Sequence, residues 1–257
     1  FTLTPGGRYY FDLSAMNIPG TVNSALPDIT LHYVPFTYVG TVDAYSLKPA
    51  SNGVAASSEQ ASVATDKDAQ YGYTYEHSLF IADYKVTDKI SWVDLNNAGF
   101  IFGKAYTAGG ISYTLRAPTM GSSANGGNNS IGVPGNNEWD KILAKNPNFI
   151  KAMGDKYEIT QFWGQDTCDH YAHDKTKVTR NTANNFVPTV ENTPNNGVCY
   201  RPVLELPTGL AADSLKVVEL ITDDRMPGET YKSINIIVKK GESSFPITSL
   251  LTRRCGG

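Results

Sequence analysis

Hydrophobic and polar residues alternate through much of the first half of this chain, and a period of two predicts strands. Arg8-Tyr9-Tyr10-Phe11-Asp12-Leu13 follows a Pro5-Gly6-Gly7 turn, and Ile29 to Tyr45 alternates through Leu31, Tyr33, Phe36, Tyr38, Val42 and Tyr45. Pro19-Gly20 and Pro27-Asp28 are turn signals between them. The tyrosines suit half-buried strands, which accept aromatic and β-branched side chains well. Residues 49–70 are small and polar and read as an exposed loop. Tyr75 to Thr87 reads as a strand pair, so His32 and His77 both fall on strands and read as structural. Ile101 to Tyr106 and Ile111 to Leu115 predict a hairpin around Ala108-Gly109-Gly110.

The pattern turns helical in two places. Ser91 is an N-cap with Asp94 three residues on, and Gly99 stops the short helix that follows. Asn137 caps a second helix, Glu138 to Lys145, with Trp139, Ile142 and Leu143 on one face. Pro147 interrupts it, and Phe149, Ile150 and Met153 suggest a further turn ending at Gly154. The Gly/Asn/Ser stretch 121–136 before it reads as a loop too glycine-rich to hold one shape unless something binds it.

The stretch from Tyr157 to Leu206 behaves differently. It opens on Ile159, Phe162 and Trp163 and closes on the alternating Val198, Tyr200, Val203 and Leu206. The residues between show neither period, and a long irregular segment pinned at both ends is more often functional than filler. Trp163, next to Phe162, reads as core, whereas Tyr171 and Phe186 read as exposed. Rigid aromatics beside adaptable Asn, Ser and Thr resemble a paratope. The residues expected to meet a ligand are Asp166, Asp169, His170, Tyr171, His173, Asn181, Asn184, Asn185, Phe186, Asn192, Asn195 and Asn196.

After Leu206 the text changes. Pro207-Thr208-Gly209 is a break, and strand–turn–strand sequence follows over residues 215–240, ending before a third strand could complete the unit. The expected division is a β-rich segment over 1–70, which can be integral to the main domain, a main domain over 71–206, and a partial β unit over 214–257.

Length and charge narrow the classes. The chain has 257 residues, 40% hydrophobic and 18% charged, enough for one large domain plus a small one with a polar surface. A formal charge of −3 argues against nucleic acid as a partner. No run approaches the roughly 18 apolar residues that span a bilayer, so no membrane insertion is expected. No signal peptide is visible, and Phe1-Thr2-Leu3-Thr4 opens in strand-like sequence, as a trimmed mature segment would. The Asn, Thr, Ser, Gly and Tyr content suits an extracellular β-rich protein. Of three cysteines, Cys168 and Cys199 flank the irregular stretch, where a disulfide and two ordinary thiols are both compatible with the spacing, and Cys255 is expected to be unpaired.

Chemistry has few footholds. His170 and His173, with Asp166 or Asp174, would form a zinc or copper set on a helix, but no helical pattern supports that geometry, so solvated loop residues are the stronger reading. A structural calcium held by Asp and Asn oxygens stays open, although no loop spacing identifies one. A Ser–His–Asp triad needs no adjacency, and no nucleophile-elbow glycine pattern appears. No catalytic residue, metal ligand or cofactor is therefore assigned.

Three stretches in order resemble one family. Glu76 to Thr87 looks like the strand that opens formylglycine-generating-enzyme-type domains. Leu115-Arg116-Ala117-Pro118-Thr119 with Asn137-Glu138-Trp139 resembles that family's arginine–leucine–proline–threonine and glutamate–tryptophan signature, and Gly197 to Leu204 resembles its closing strand. The resemblance implies an α+β, C-type-lectin-like domain. Variable proteins of diversity-generating retroelements share that fold and carry a hypervariable ligand surface just before the closing strand. Here 18 of the 32 residues from 166 to 197 are Asn, Asp, His, Tyr or Thr, all one adenine change from an asparagine codon. Residues 214–257 are similar to the start of an internalin-type β-grasp repeat, with Thr222-Asp223-Asp224-Arg225 in place of its usual glycine-rich turn. These likenesses imply a non-catalytic recognition or adhesion protein of a bacterial surface, or a phage-borne one, that binds a protein or glycan. The alternative they imply is a formylglycine-generating-type or metal-dependent enzyme.

Overall fold

The computed structural model describes residues 5–49, 59–61, 74–108, 111–125, 128–145, 160–168, 176–192 and 197–206, and the short strands 215–217, 230–231, 238–240 and 253–254. In chain order the elements are β1 (Arg8–Phe11), β2 (Thr21–Val22), β3 (Val34–Ala44), β4 (Leu47–Pro49), β5 (Glu59–Ala61), β6 (Tyr75–Ala82), β7 (Thr87–Asp88), α1 (Trp92–Asn97), β8 (Lys104–Ala108), β9 (Ile111–Arg116), β10 (Ser123–Asn125), β11 (Asn128–Val133) and α2 (Glu138–Lys145). There follow β12 (Gln161–Thr167), β13 (Thr176–Asn181), β14 (Phe186–Val190), β15 (Val198–Tyr200), β16 (Val203–Glu205), β17 (Leu215–Val217), β18 (Thr230–Tyr231), β19 (Val238–Lys240) and β20 (Arg253–Arg254).

Two six-stranded sheets carry the fold. The first, a curled antiparallel half-barrel, runs β1-β3-β6-β16-β9-β8, and the second runs β14-β13-β12-β15-β7-β2. Against these stand, among the described residues, two α-helices of six and eight residues. The protein is mainly β, which corrects the α+β, C-type-lectin-like expectation. The physical reason is local. Only Ser91 and Asn137 open an α-helix among the described residues, while β-branched and aromatic alternation wins elsewhere. The further helical turn expected near 149–154 lies outside the described residues.

The middle of the first sheet, at β6, is buried on both faces. Phe80 and Ala82 of β6 enter a cluster with Tyr9, Phe11, Phe36, Tyr38, Leu115 and Leu204, whereas Leu79 and Ile81 enter another with Val42, Val203, Trp139, Phe162 and Val178. Alternate side chains of one strand point to opposite faces, so β6 separates two cores. β1 and β3 share this sheet with β6 and β16, so residues before 70 and after 74 build one layer. β15 and β16 belong to different sheets, and only Arg201 and Pro202 connect them.

Several local expectations meet their elements. The Ser91 side chain accepts from the Asp94 N–H at the start of α1. β8 and β9 pair as a hairpin with Tyr106 opposite Tyr113. Tyr75 to Thr87 is not a strand pair, because β6 ends at Ala82 and the two-residue β7 joins the other sheet. His32 is off the strand as well, and its Nδ1 lies 3.2 Å from Asp12 Oδ2 on an exposed surface.

The stretch 121–136 also holds a definite shape, a β10–β11 hairpin. Gly132 is the reason. A Cβ there would run into the Met120 carbonyl oxygen and crowd Asn137 Nδ2 and Asp140 Oδ2. Only glycine lets the two backbones approach so closely.

Candidate functional site

The first turn of α2 is where the most distant parts of the chain meet. Asn137 caps the helix, its Oδ1 accepting from the Asp140 N–H at 2.9 Å, and its Nδ2 donates to the Pro134 carbonyl at 2.7 Å. The next three residues each reach a different element.

Glu138 is fully buried and accepts four hydrogen bonds. Arg116 Nη2 and His77 Nε2 donate to Oε1 at 2.5 and 2.6 Å, while Arg116 Nη1 and the Thr119 N–H donate to Oε2 at 2.7 and 3.0 Å. Arg116 also donates from Nε and Nη2 to Glu205 Oε2 at 2.9 and 2.7 Å, and the Tyr75 hydroxyl reaches Glu205 Oε1 at 2.9 Å. Burial by itself raises Glu138, but the Arg116 charge and the bonds from Arg116 and His77 outweigh it and hold the carboxyl at about 2, below its ordinary 4.5. A carboxylate lowered in the fold adds stability above its unfolded value and loses it as pH falls through its folded value. Acid unfolding should therefore carry a Glu138 contribution that disappears between about 4.5 and about 2. A Glu138→Gln variant, followed by tryptophan fluorescence against pH, should lack that part of the curve.

Trp139 is buried, and its Nε1 donates to Asn184 Oδ1 at 2.7 Å, while Asn184 Nδ2 donates to the Ser130 carbonyl at 3.0 Å. Asp140 takes the Gly132 N–H at 2.8 Å on Oδ2 and pairs with Arg180 of β13 through Oδ1. Arg180 Nη2 also donates to the Ser130 carbonyl at 3.2 Å. Four consecutive residues thus fasten both sheets, the β10–β11 hairpin and the β13–β14 turn.

A second polar group braces β12. The Tyr45 hydroxyl donates to Asp166 Oδ1 at 2.6 Å, and the Met120 N–H donates to Oδ2 at 2.6 Å. Gln165 takes the Leu47 N–H at 2.8 Å and donates to the Ile101 carbonyl at 3.0 Å. Lys177 of β13 is buried as well. Its Nζ donates to Thr167 Oγ1 at 2.7 Å and sits 4.3 Å above the Trp92 ring.

These contacts redraw the expected ligand surface. The segment read as aperiodic contains a regular antiparallel pair, β13 and β14, and every residue of β13 is buried. Asp166 lies in the interior, and so does Phe186 at 9% exposure rather than on the surface. Asn181 caps the β13–β14 turn, its Oδ1 accepting from the Ala183 and Asn185 N–H groups at 3.0 and 2.8 Å. Asn184 sits in the left-handed region at φ 64° with its amide engaged on both sides. Asn192 is exposed and Asn185 half-buried. Asp169, His170, Tyr171, His173, Asn195 and Asn196 lie outside the described residues. Nor do the described members share one surface. Asn181, Asn184 and Asn185 stand at one end of β13 and Asn192 follows the strand paired with its other end, about 17 Å away at the usual strand rise.

Cys168 and Cys199 are both buried and are not joined to each other. Cys199 pairs with Phe162, and Cys168 lies six residues further on, just past the end of β12, about 20 Å away at the usual strand rise. A disulfide between them does not fit that spacing, and Cys255 lies outside the described residues. Among the described residues no three His, Cys, Asp or Glu side chains stand together as a metal would need. No helix among them is long and apolar enough to cross a membrane.

Sequence reasoning missed the Asp140–Arg180 pair and the Lys177–Trp92 contact. A first-turn acid at Asp140 was a signal for a nearby cation, but nothing in the chain said which one. No protein-family model, no curated protein and no solved structure matches this chain.

Proposed function

We propose that this chain is a non-catalytic recognition module of an extracellular surface, meeting a protein or glycan ligand through residues 169–175 and the neighbouring Asn192. The supporting observation is the base of that segment. The Cys168 N–H donates to the Thr176 carbonyl at 2.9 Å, closing the two chain ends on each other. Asp166 and Lys177 on either side are buried and anchored to Tyr45, Met120 and Thr167. Seven residues rich in Asp, His and Tyr are therefore carried between two immobilised strand ends. Fixing the ends of a binding segment lowers the entropy lost on complex formation. Aromatic and hydrogen-bonding side chains then supply contact area and adaptability. The composition of 166–197 fits genetic diversification of that segment, although Asn181, Asn184 and Asp166 serve the scaffold.

The test replaces Asp169, His170, Tyr171 and His173 together by Ala. The melting midpoint should stay within a few degrees of wild type. Binders selected by wild type from a printed glycan panel and a displayed protein library should weaken at least tenfold on the variant, on the order of a hot-spot loss. Unfolding of the variant, or unchanged binding by every selected partner, would overturn this assignment.

A further inference from the structure

We propose that His77 donates from both ring nitrogens in the folded protein, so that a doubly protonated ring ties β6 to the first turn of α2. The side chain is buried, and both nitrogens face acceptors. Nδ1 lies 2.8 Å from the Tyr75 carbonyl oxygen and Nε2 lies 2.6 Å from Glu138 Oε1. A carbonyl oxygen can only accept. Glu138 cannot be the donor either, because both its oxygens are already filled by Arg116 and the Thr119 N–H. A neutral imidazole has a single N–H and would set a lone pair against one of the two oxygens, whereas the imidazolium donates to both.

Charge points the same way. The groups facing this cluster are Tyr75 from β6, Arg116 from β9, Glu138 from α2 and Glu205 from β16, while Val42, opposite His77 on β3, is uncharged. Without a ring proton one guanidinium faces two carboxylates, Glu138 in the interior and Glu205 at its edge. With it the set is neutral, and a neutral buried set avoids the cost of an uncompensated charge. The Tyr75 ring stacks on His77 with centroids 4.2 Å apart, an arrangement that favours a cation over a neutral ring. With a single N–H the ring could serve the Tyr75 carbonyl or Glu138 in the first turn of α2, but not both.

The whole chain labelled with 15N-histidine tests this. Near pH 7.5, where a free imidazole is mostly neutral, a long-range 1H–15N spectrum of the four histidines should show one ring with two N–H-type nitrogens. That signal should vanish in His77→Gln. If His77→Gln does not fold, the signal should survive replacement of His32, His170 and His173 by Gln. A lone-pair nitrogen on His77 near pH 7.5 overturns the proposal.

Discussion

Replacing Arg116 by Ala is expected to destabilise the protein by about 3–5 kcal/mol, the scale for removing one partner of a buried ion pair. The guanidinium is 1% exposed and, among the described residues, is the one group bonded to both Glu138 and Glu205. Its loss leaves Glu138, at 0% exposure, with the His77 ring and the Thr119 N–H alone. Glu205 is 15% exposed and can turn to water, so most of the effect belongs to Glu138. Arg116→Lys should recover little, because one ammonium cannot reproduce a planar fork that makes two bonds to Glu138 and two to Glu205. Replacing Arg116 and Glu138 together by apolar residues should cost less than Arg116→Ala alone, since no uncompensated charge then remains at Glu138. Urea unfolding followed by tryptophan emission measures all three. A loss below about 1 kcal/mol for Arg116→Ala would place the pair on the scale of a solvated surface bridge and contradict the burial.

The parts of this fold that were legible in the chain are those decided within a few residues. Ser91 and Asn137 cap helices because the cap acts on an N–H only three residues away. Trp139 shares a helical face with Ile142 and Leu143, Trp163 follows Phe162, and both are fully buried. β13 was not legible for a physical reason. Period-two reasoning needs one apolar face, but Thr176, Lys177, Thr179, Arg180 and Asn181 are polar and buried all the same. Their partners are far away in sequence. Arg180 meets Asp140 forty positions earlier, and Asp166 meets Tyr45 across 121 positions. A polar residue satisfied by such a partner looks, in one sequence, like a polar residue facing water. The same ambiguity misplaced part of the ligand surface, because asparagines that suit recognition equally suit turns: Asn181 and Asn184 shape the backbone between β13 and β14. The α+β expectation failed through the family likeness rather than through the periodicity, which pointed to strands from the start. Arg116, Thr119 and Glu138, which carry that likeness, do meet in space.

Trp139→Ala should cost about 3–5 kcal/mol, as truncating a buried aromatic does, and Asn184→Ala about 1–3 kcal/mol, as stranding a buried donor does. The two should not add. With Asn184 gone, the Trp139 Nε1–H has already lost its acceptor, and with Trp139 gone, Asn184 Oδ1 faces the cavity. Residues sharing one bond show coupling of roughly 0.5–3 kcal/mol in a double-mutant cycle. Asn184→Gly separates two contributions that Asn184→Ala merges. Both remove the amide that joins α2 to the Ser130 carbonyl, but only Ala must also be forced into φ 64°. Gly should therefore be the milder change, and the difference between the two measures the backbone share. The outcome decides what the β13–β14 turn is for. A structural turn loses stability on Asn184→Ala and keeps whatever ligand residues 169–175 bind. A display turn does the reverse, holding its melting midpoint and losing binding. The engagement of both ends of the amide, by a buried indole on one side and a hairpin carbonyl on the other, requires the first result, because a side chain with its donor and acceptor already committed has little left to offer a ligand.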